Sequence, residues 1–313
     1  MKDLTRSLNT RYPILAAAAL LLLLLAAGCS KEPPKVDISV NAASAVIMDA
    51  GRGDILFEKN AREKYPPAST VKVMTAIVAV ENMPLDAVIK PGKKALRVEP
   101  TVAGLRAGVG YELRDLLSAI LIKSANDAAV VIAEGVAGSE EKFALLMNQK
   151  AAEIGMTDTF FAGATGLPTG RKDKQHTTSR DLAVMMRYAR RHDVILEEMS
   201  KKEADIYGAD GRKIHLRTHN KTLLWHDDAP WGKTGYTREA RRTFVGVDPS
   251  QRPSVIISLL RSNDLWDDIM TLERKGLELY EIHTRTFFDD LADWVKAQWR
   301  NSRRFRREVY PAR

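Results

Sequence analysis

The stretch Pro66-Pro-Ala-Ser-Thr-Val-Lys-Val-Met-Thr-Ala-Ile-Val-Ala-Val80 decides how the rest of the chain is read. From Ser69 to Asn82 the residues are apolar nearly all round, with Val71, Val73, Met74, Ile77, Val78 and Val80 spread over every face. A helix with so little polar surface is buried. Lys72 is the only charged side chain between Ser69 and Val80. Residues three apart share a helix face, so the Lys72 amine can reach the Ser69 hydroxyl. Ser69 falls at the helix N-terminus, where free N–H groups and the dipole favour developing negative charge. Burial disfavours the ammonium form and lowers its pKa, the condition for a lysine that acts as general base. The local physics therefore describes a serine nucleophile paired with a lysine base.

Outward from this helix the pattern is mixed. Ala45–Met48 and Ile55–Phe57, joined by Asp49-Ala-Gly-Arg-Gly-Asp54, predict a β-hairpin with glycine turn chemistry. Leu113–Lys123 and Ala128–Val136 read as two further apolar helices, separated by Ser124-Ala-Asn-Asp127. Glu140–Ile154 is amphipathic and stops at Gly155, a capping residue. Ser179–Arg191 is helical, with Ser179 as the expected N-cap. From about residue 205 onward strands dominate, notably Thr243–Val247 and Val255–Leu260, before Asp267–Tyr280 returns to helix. Strands at both ends with helices between them imply an α+β fold whose sheet is assembled from distant segments.

Ser-x-x-Lys alone is cheap, and the chain supplies its own control. Ser139-Glu-Glu-Lys142 matches too, but opens an amphipathic helix among acidic residues and reads as a solvated face. Ser7-Leu-Asn9 likewise matches Ser-x-Asn inside the N-terminal leader. Order and setting carry the weight. Ser69-x-x-Lys72 is followed by Ser124-Ala-Asn126 and then Lys233-Thr-Gly235, which occurs once. These three in this order are the motif set of penicillin-binding proteins and class A β-lactamases. The glycine of the third suits a strand that passes close to a ligand.

The resemblance extends beyond the triple. Pro66–Ala76, Leu121-Ile-Lys-Ser-Ala-Asn-Asp-Ala-Ala129, Thr177-Thr-Ser-Arg-Asp-Leu-Ala183 and Gly232-Lys-Thr-Gly-Tyr-Thr237 resemble the serine D-alanyl-D-alanine carboxypeptidases, the low-molecular-mass penicillin-binding proteins. The similarity runs from about Ser44 to Tyr280. It implies a β-lactamase/DD-peptidase-like fold, with a five-stranded antiparallel sheet flanked by helices, plus a helical subdomain and the site between them. It implies that Ser69 attacks the D-Ala-D-Ala carbonyl, Lys72 takes the proton and Ser124 relays protons. Asn126 would bind the substrate amide, Lys233 and Thr234 would hold the terminal carboxylate, and Gly235 would also lie against the substrate. The backbone N–H groups of Ser69 and Tyr236 would form the oxyanion hole. The implied substrate is the peptidoglycan stem peptide, with β-lactams as covalent inhibitors and no cofactor.

Three features depart from the family pattern. Ala125 stands where glycine is usual, and Tyr236 where histidine often follows Lys-Thr-Gly. Because the oxyanion contact at Tyr236 is backbone, altered specificity is expected there, not loss of chemistry. Roughly thirty residues follow the last core helix, too few for the β-rich second domain of many carboxypeptidases. Single-domain relatives include endopeptidases that cut D-Ala–meso-diaminopimelate cross-links, so carboxypeptidase and endopeptidase stay open here. A serine β-lactamase would use the same triple, but the segment between the second and third motifs has no clear Glu-x-x-Leu-Asn. A non-catalytic envelope-binding protein is the alternative of a different class.

Other chemistry-bearing residues look structural. His215, His219 and His226 lie close in sequence but lack the Glu of His-Glu-x-x-His, so no metal site is expected. Trp225 and Trp231 are read as core.

The 313 residues carry a net charge of +8, which would suggest nucleic acid until its distribution is examined. Residues 29–293 are neutral, with 38 basic and 38 acidic side chains; the excess lies in residues 1–28 and 294–313. A basic body for wrapping nucleic acid is absent. Lys2, Arg6 and Arg11 precede the apolar run Ile14–Ala27. As a helix that run spans about 21 Å, short of a ~30 Å hydrocarbon core. A charged start, a short apolar run and small residues at its end describe a secretory signal, with a tight transmembrane anchor as the alternative. The only cysteine, Cys29, follows Leu25-Ala-Ala-Gly28 and resembles a bacterial lipobox, in which it would be acylated. Ser30 after it points to the outer membrane, on the periplasmic side. The expected organisation is signal peptide 1–28, tether 29–43, catalytic domain 44–283, and an amphipathic helix with a basic tail over 284–313. In that tail Phe287, Phe288, Leu291, Trp294, Val295 and Trp299 fall at helical spacing ahead of Arg303-Arg-Phe-Arg-Arg307.

Overall fold

A computed structural model of the chain describes residues 36–99, 101–168, 174–249 and 254–284. The signal, Cys29, most of the tether and the tail beyond residue 284 lie outside the described residues. Asp37–Tyr280 form one compact body, and the two terminal segments, Met1–Val36 and Glu281–Arg313, fall in a separate unit.

Along the body run strands β1 (Ser44–Asp49) and β2 (Ile55–Lys59), then helix α1 (Val71–Asn82). Two short strands follow, β3 (Val88–Ile89) and β4 (Tyr111–Glu112), and then helices α2 (Leu113–Leu121), α3 (Asn126–Ala137), α4 (Glu140–Glu153), α5 (Ser179–Ala189) and α6 (Asp193–Ser200). The hairpin β5 (Glu203–Tyr207) and β6 (Lys213–Arg217) leads to α7 (Lys221–Trp225). The chain returns through β7 (Trp231–Thr237), β8 (Arg241–Val247), β9 (Val255–Ser262) and α8 (Leu265–Thr284).

Five of these strands form one antiparallel sheet in the order β2-β1-β9-β8-β7, so first and last segments of the body meet at its centre. This is the expected α+β architecture with a five-stranded antiparallel sheet. Both sheet faces are covered, and the side-chain period of two sorts residues between two cores. Val46, Met48, Val245, Val247, Ile256 and Leu260 face the larger core beneath α1 to α6. Ala45, Ile47, Phe244, Val255, Ile257 and Leu259 face the smaller one, under Leu265, Ile269 and Leu272 of α8. Two buried faces explain why β9 reads as a continuous apolar run instead of an alternating one. Each large apolar side chain so buried contributes about 1.5–3 kcal/mol.

Helix α1 lies in the larger core, with every residue from Val71 to Ala79 buried. Its all-round apolar composition has the reason given by the sequence: it is enclosed by the sheet side and by α2, α3, α4 and α5. The helices at 113, 140 and 265 start within two residues of their expected positions. Gly155 sits past α4 with φ +86°, the left-handed conformation that a helix stop of this kind uses. At α5 the cap is Thr178, not Ser179, because the Thr178 hydroxyl accepts from the Asp181 N–H (3.0 Å). Ser179 instead bonds Ser44 across to β1 (2.6 Å) and accepts from Ser258 at its carbonyl (2.6 Å).

Candidate active site

The nucleophile candidate is not in α1 itself but in the 3₁₀ turn Ala68–Thr70 that precedes it. Of that turn, Ala68 and Thr70 are buried and Ser69 alone is partly open. The turn is pinned from two sides. Thr70 Oγ1 donates to Pro67 O (2.7 Å), and Thr243 Oγ1 of β8 donates to the same carbonyl (3.1 Å). Ala68 holds φ +49°, a region L-residues adopt only when their surroundings enforce it.

Lys72 lies one turn on and is fully buried. Its Nζ is 3.0 Å from Ser69 Oγ, 2.7 Å from Asn126 Oδ1 and 2.6 Å from the Thr165 carbonyl. Three acceptors suit an ammonium. They suit a neutral amine equally, because two N–H groups then serve Asn126 and Thr165 while the lone pair faces the Ser69 hydroxyl. Burial, and after it the charge of Lys233, push the Lys72 pKa well below the ordinary lysine value, against a smaller opposing pull from Asp127. A lowered pKa and a 3.0 Å approach to Ser69 Oγ are the properties a general base needs.

The second motif connects α2 to α3. Ser124 is buried with φ +63°, and its hydroxyl makes no hydrogen bond to the described residues. Asn126 opens α3. Its Oδ1 accepts from Lys72 and its Nδ2 donates to the Glu99 carbonyl (2.8 Å), so the amide ties the lysine to Glu99, ahead of the segment 101–105. Beside it Asp127 accepts from the N–H groups of Ala103, Gly104 and Leu105, which shapes that segment.

The third motif lies on β7, the edge strand of the sheet. Lys233 is 1% exposed and donates to the Thr234 carbonyl (2.7 Å). Burial brings its pKa down to about 7. Gly235 explains the strand's closeness to the nucleophile turn. A Cβ there would stand 2.4 Å from Thr243 Oγ1, 2.8 Å from Ser69 N and 3.0 Å from Ala68 Cβ. Thr234 is half-buried and Tyr236 is 62% exposed.

Ser69, Lys72, Asn126, Lys233 and Gly235 thus converge from the N-terminus of α1, the start of α3 and the edge strand. One contributor went unread in the sequence. The loop Ala164-Thr-Gly-Leu167 supplies a carbonyl to Lys72 and another to Thr75 Oγ1 (2.8 Å), and Gly166 (φ +83°) packs directly on the Ala68 carbonyl. Its only sequence signal is turn chemistry, Gly163, Gly166 and Pro168 in an otherwise mostly apolar stretch. His219, set aside as structural, stands near the same lysines. Burial by neighbours, then the charges of Lys233, Lys123 and Lys72, hold its pKa below the usual value, although its ring stays open to solvent.

The control motif behaves differently. Ser139 caps α4 by accepting from the Lys142 N–H (3.2 Å), and the Lys142 side chain is exposed. His215 pairs with Asp205 on the exposed face of β6 (2.9 Å). Trp231 packs on the larger core, but Trp225 corrects the core expectation. It is 57% exposed, edge-on to Trp266 at 6.0 Å, because the short helix α7 turns it outward. Among the described residues no group of three or more His, Cys, Asp or Glu could hold a metal ion.

A buried lysine, a serine at a pinned turn and a glycine-bearing edge strand define a serine hydrolase site of the acyl-transfer kind. The family model described as D-alanyl-D-alanine carboxypeptidase matches residues 29–263, and the chain belongs to that family of serine peptidases. It is 30% identical over 244 residues to the D-alanyl-D-alanine carboxypeptidase DacB2 of Mycobacterium tuberculosis, covering 76% of this chain and 83% of the relative. It is 28% identical over 225 residues to a D-alanyl-D-alanine endopeptidase of Pseudomonas aeruginosa, covering 68% and 70%. Against the D-alanyl-D-alanine carboxypeptidase DacC of Escherichia coli identity is 34%, but the chain spans only 53% of that protein's length. Among solved structures, a D-alanyl-D-alanine carboxypeptidase of Mycobacterium tuberculosis superposes with a TM-score of 0.74 at 28% identity, over 80% of this chain and 96% of that one. A Streptomyces DD-transpeptidase at 23% identity shares the fold, with a TM-score of 0.72.

Proposed function

We propose that the chain is an exported D,D-carboxypeptidase that removes the terminal D-alanine from peptidoglycan stem pentapeptides through an acyl-enzyme on Ser69, and that penicillins acylate the same serine. The observation that carries this reading is the Lys72 amine, buried and 3.0 Å from Ser69 Oγ. Neutral Lys72 takes the hydroxyl proton as Oγ attacks the carbonyl of the D-Ala-D-Ala bond. The developing oxyanion is held by the N–H groups of Ser69 and Tyr236, a device whose removal typically costs about 10²–10³ in rate. The proton passes from Lys72, with Ser124 as relay, to the departing D-alanine nitrogen, and the C–N bond breaks. Water, deprotonated by the same amine, then attacks the ester and releases the shortened peptide and free Ser69 Oγ–H. Protonated Lys233, with Thr234, binds the substrate's terminal carboxylate, and Asn126 contacts the peptide amide in addition to holding Lys72.

The lipobox-like Leu25–Cys29 and the serine after it support a protein acylated on Cys29 and anchored to the outer membrane, facing the periplasm. The similarity to a Pseudomonas endopeptidase, over 70% of that protein, supports cleavage of cross-links as the second reading. Digestion of purified muropeptides separates the two. The expected product is free D-alanine from pentapeptide monomers. Cross-linked dimers falling to monomers, without D-alanine release, would make the protein an endopeptidase; neither change would contradict both readings.

A further inference from the structure

At the end of α1 remote from Ser69 lies a second cavity, of about 640 Å³, between the β1–β2 turn and the C-terminal ends of α4 and α5. The twelve residues of α1 put about 18 Å between the two ends of the helix. Tyr188, in the cavity wall, donates to Glu81 near the C-terminus of α1 (2.6 Å), which fixes the cavity at that far end. Arg187, Arg190 and Arg191 all line it.

These three arginines differ from Arg52, Arg62, Arg106, Arg180 and Arg217, each of which pairs with a carboxylate. None forms an ion pair with a carboxylate among the described residues. Arg187 donates one N–H to the Gly51 carbonyl (2.8 Å), Arg190 donates one to the Ala50 carbonyl, and Arg191 lies over the Tyr188 ring at 4.9 Å. A guanidinium has five N–H donors, so most of the set has no protein partner among the described residues, with Arg187 and Arg191 exposed and Arg190 half-buried. Glu153, the one carboxylate in the lining, is already paired with Lys150 (2.7 Å). Burial, then the charge of Arg187, hold the Arg190 pKa below its ordinary value, against a smaller opposing pull from Asp49. Gly53 packs close by, its Cβ position 3.0 Å from the Arg187 guanidinium.

We propose that this cavity is an anion site, distinct from the Ser69 cleft, that takes a phosphate ester. A carboxylate satisfies one guanidinium bidentately, whereas a phosphoryl group offers three or more oxygens and up to two charges to several at once. The volume exceeds what a phosphoryl group fills, and Met48, Ala50, Ile154 and Val184 give the esterified alcohol an apolar wall. Such a ligand is either the headgroup of an anionic phospholipid or a soluble phosphate ester.

The test titrates the full chain, in detergent, with glycerol 3-phosphate, and measures its co-flotation with vesicles of phosphatidylcholine with and without phosphatidylglycerol. Saturable binding of glycerol 3-phosphate is expected, weakened at least tenfold in the Arg187→Gln, Arg191→Gln double variant. Arg191→Gln alone leaves both turn-holding hydrogen bonds in place and is expected to weaken binding several-fold, so a folding defect in the double variant does not decide the matter. Penicillin acylation of each variant, expected unchanged, reports that the fold is intact. If preference for phosphatidylglycerol falls together with glycerol 3-phosphate binding, the ligand is a lipid headgroup; if it is unaffected, the ligand is soluble. Absence of saturable binding, or equal binding by wild type and Arg191→Gln, overturns the proposal.

Discussion

Replacing Lys72 with alanine is expected to slow acylation of Ser69 by about 10²–10⁴-fold, the range for losing a positioned general base. The substitution also leaves Asn126 Oδ1 and the Thr165 carbonyl without the donor they now share. A pH profile distinguishes loss of the base from loss of order. Two buried ammonium groups in one site disfavour each other, and burial, followed by the charge of Lys233, lowers the Lys72 pKa well below the ordinary lysine value. Below the Lys72 pKa the amine has no lone pair, so the rate falls as pH falls. Above about 7 the free enzyme loses the Lys233 charge, and with it the attraction for a terminal carboxylate. The profile of kcat/KM is therefore a bell. The alkaline limb of kcat lies at higher pH than that of kcat/KM, because a bound carboxylate favours protonated Lys233. Stopped-flow acylation by a chromogenic penicillin between pH 5 and 10 measures this. In Lys72→Ala the acid limb should vanish along with the rate; its survival at reduced amplitude would show that another group is the base.

Gly166→Ala carries the second large expectation, because it attacks the nucleophile's support without touching a reacting atom. Its Cβ would stand 1.9 Å from the Ala68 carbonyl oxygen and 2.4 Å from the carbonyl carbon, at a residue with φ +83°. Neither side can yield easily: Lys72 and Thr75 hold the 164–167 loop, while Thr243 holds the turn through Pro67. A loss of roughly 3–5 kcal/mol in stability is expected, in the range of the most damaging single substitutions. Displacement of Ser69 by even an ångström should lower acylation by about 100-fold. Gly155→Ala supplies the comparison. It has the same sign of φ, +86°, but open space around its Cβ, so only the left-handed conformational penalty of about 1–2 kcal/mol applies. Urea denaturation and penicillin labelling of both variants measure the difference, and equal behaviour would mean that the loop does not support the turn.

These two expectations mark what the sequence made legible. Lys72 was readable because burial and a charge conflict, and only a partner or a function resolves that conflict inside an apolar helix. The order of the three motifs then pointed to Asn126, which bonds Lys72, and to Lys233, whose charge acts on it. The Thr165 carbonyl was not readable, because every residue has one and a backbone acceptor has no signature in side-chain identity. The same holds for the cap of α5, where Thr178 and Ser179 are both competent and only the turn geometry chooses Thr178. Helices α6 and α7, of eight and five residues, are too short for periodicity to resolve. With α7 unrecognised, Trp225 could only be read as core, when it stands out toward Trp266. Asn126 was expected at the substrate amide, and its bonds to Lys72 and to the Glu99 carbonyl add a positioning task that spacing alone does not reveal.

The central claim is that Ser69 becomes covalently acylated. The direct measurement is intact-protein mass spectrometry after incubation with benzylpenicillin, followed by peptide mapping. One adduct of the inhibitor's mass per chain, located on the peptide that contains Ser69 and absent from Ser69→Ala, is the predicted result. An adduct on another residue, or labelling that persists in Ser69→Ala, would contradict the account.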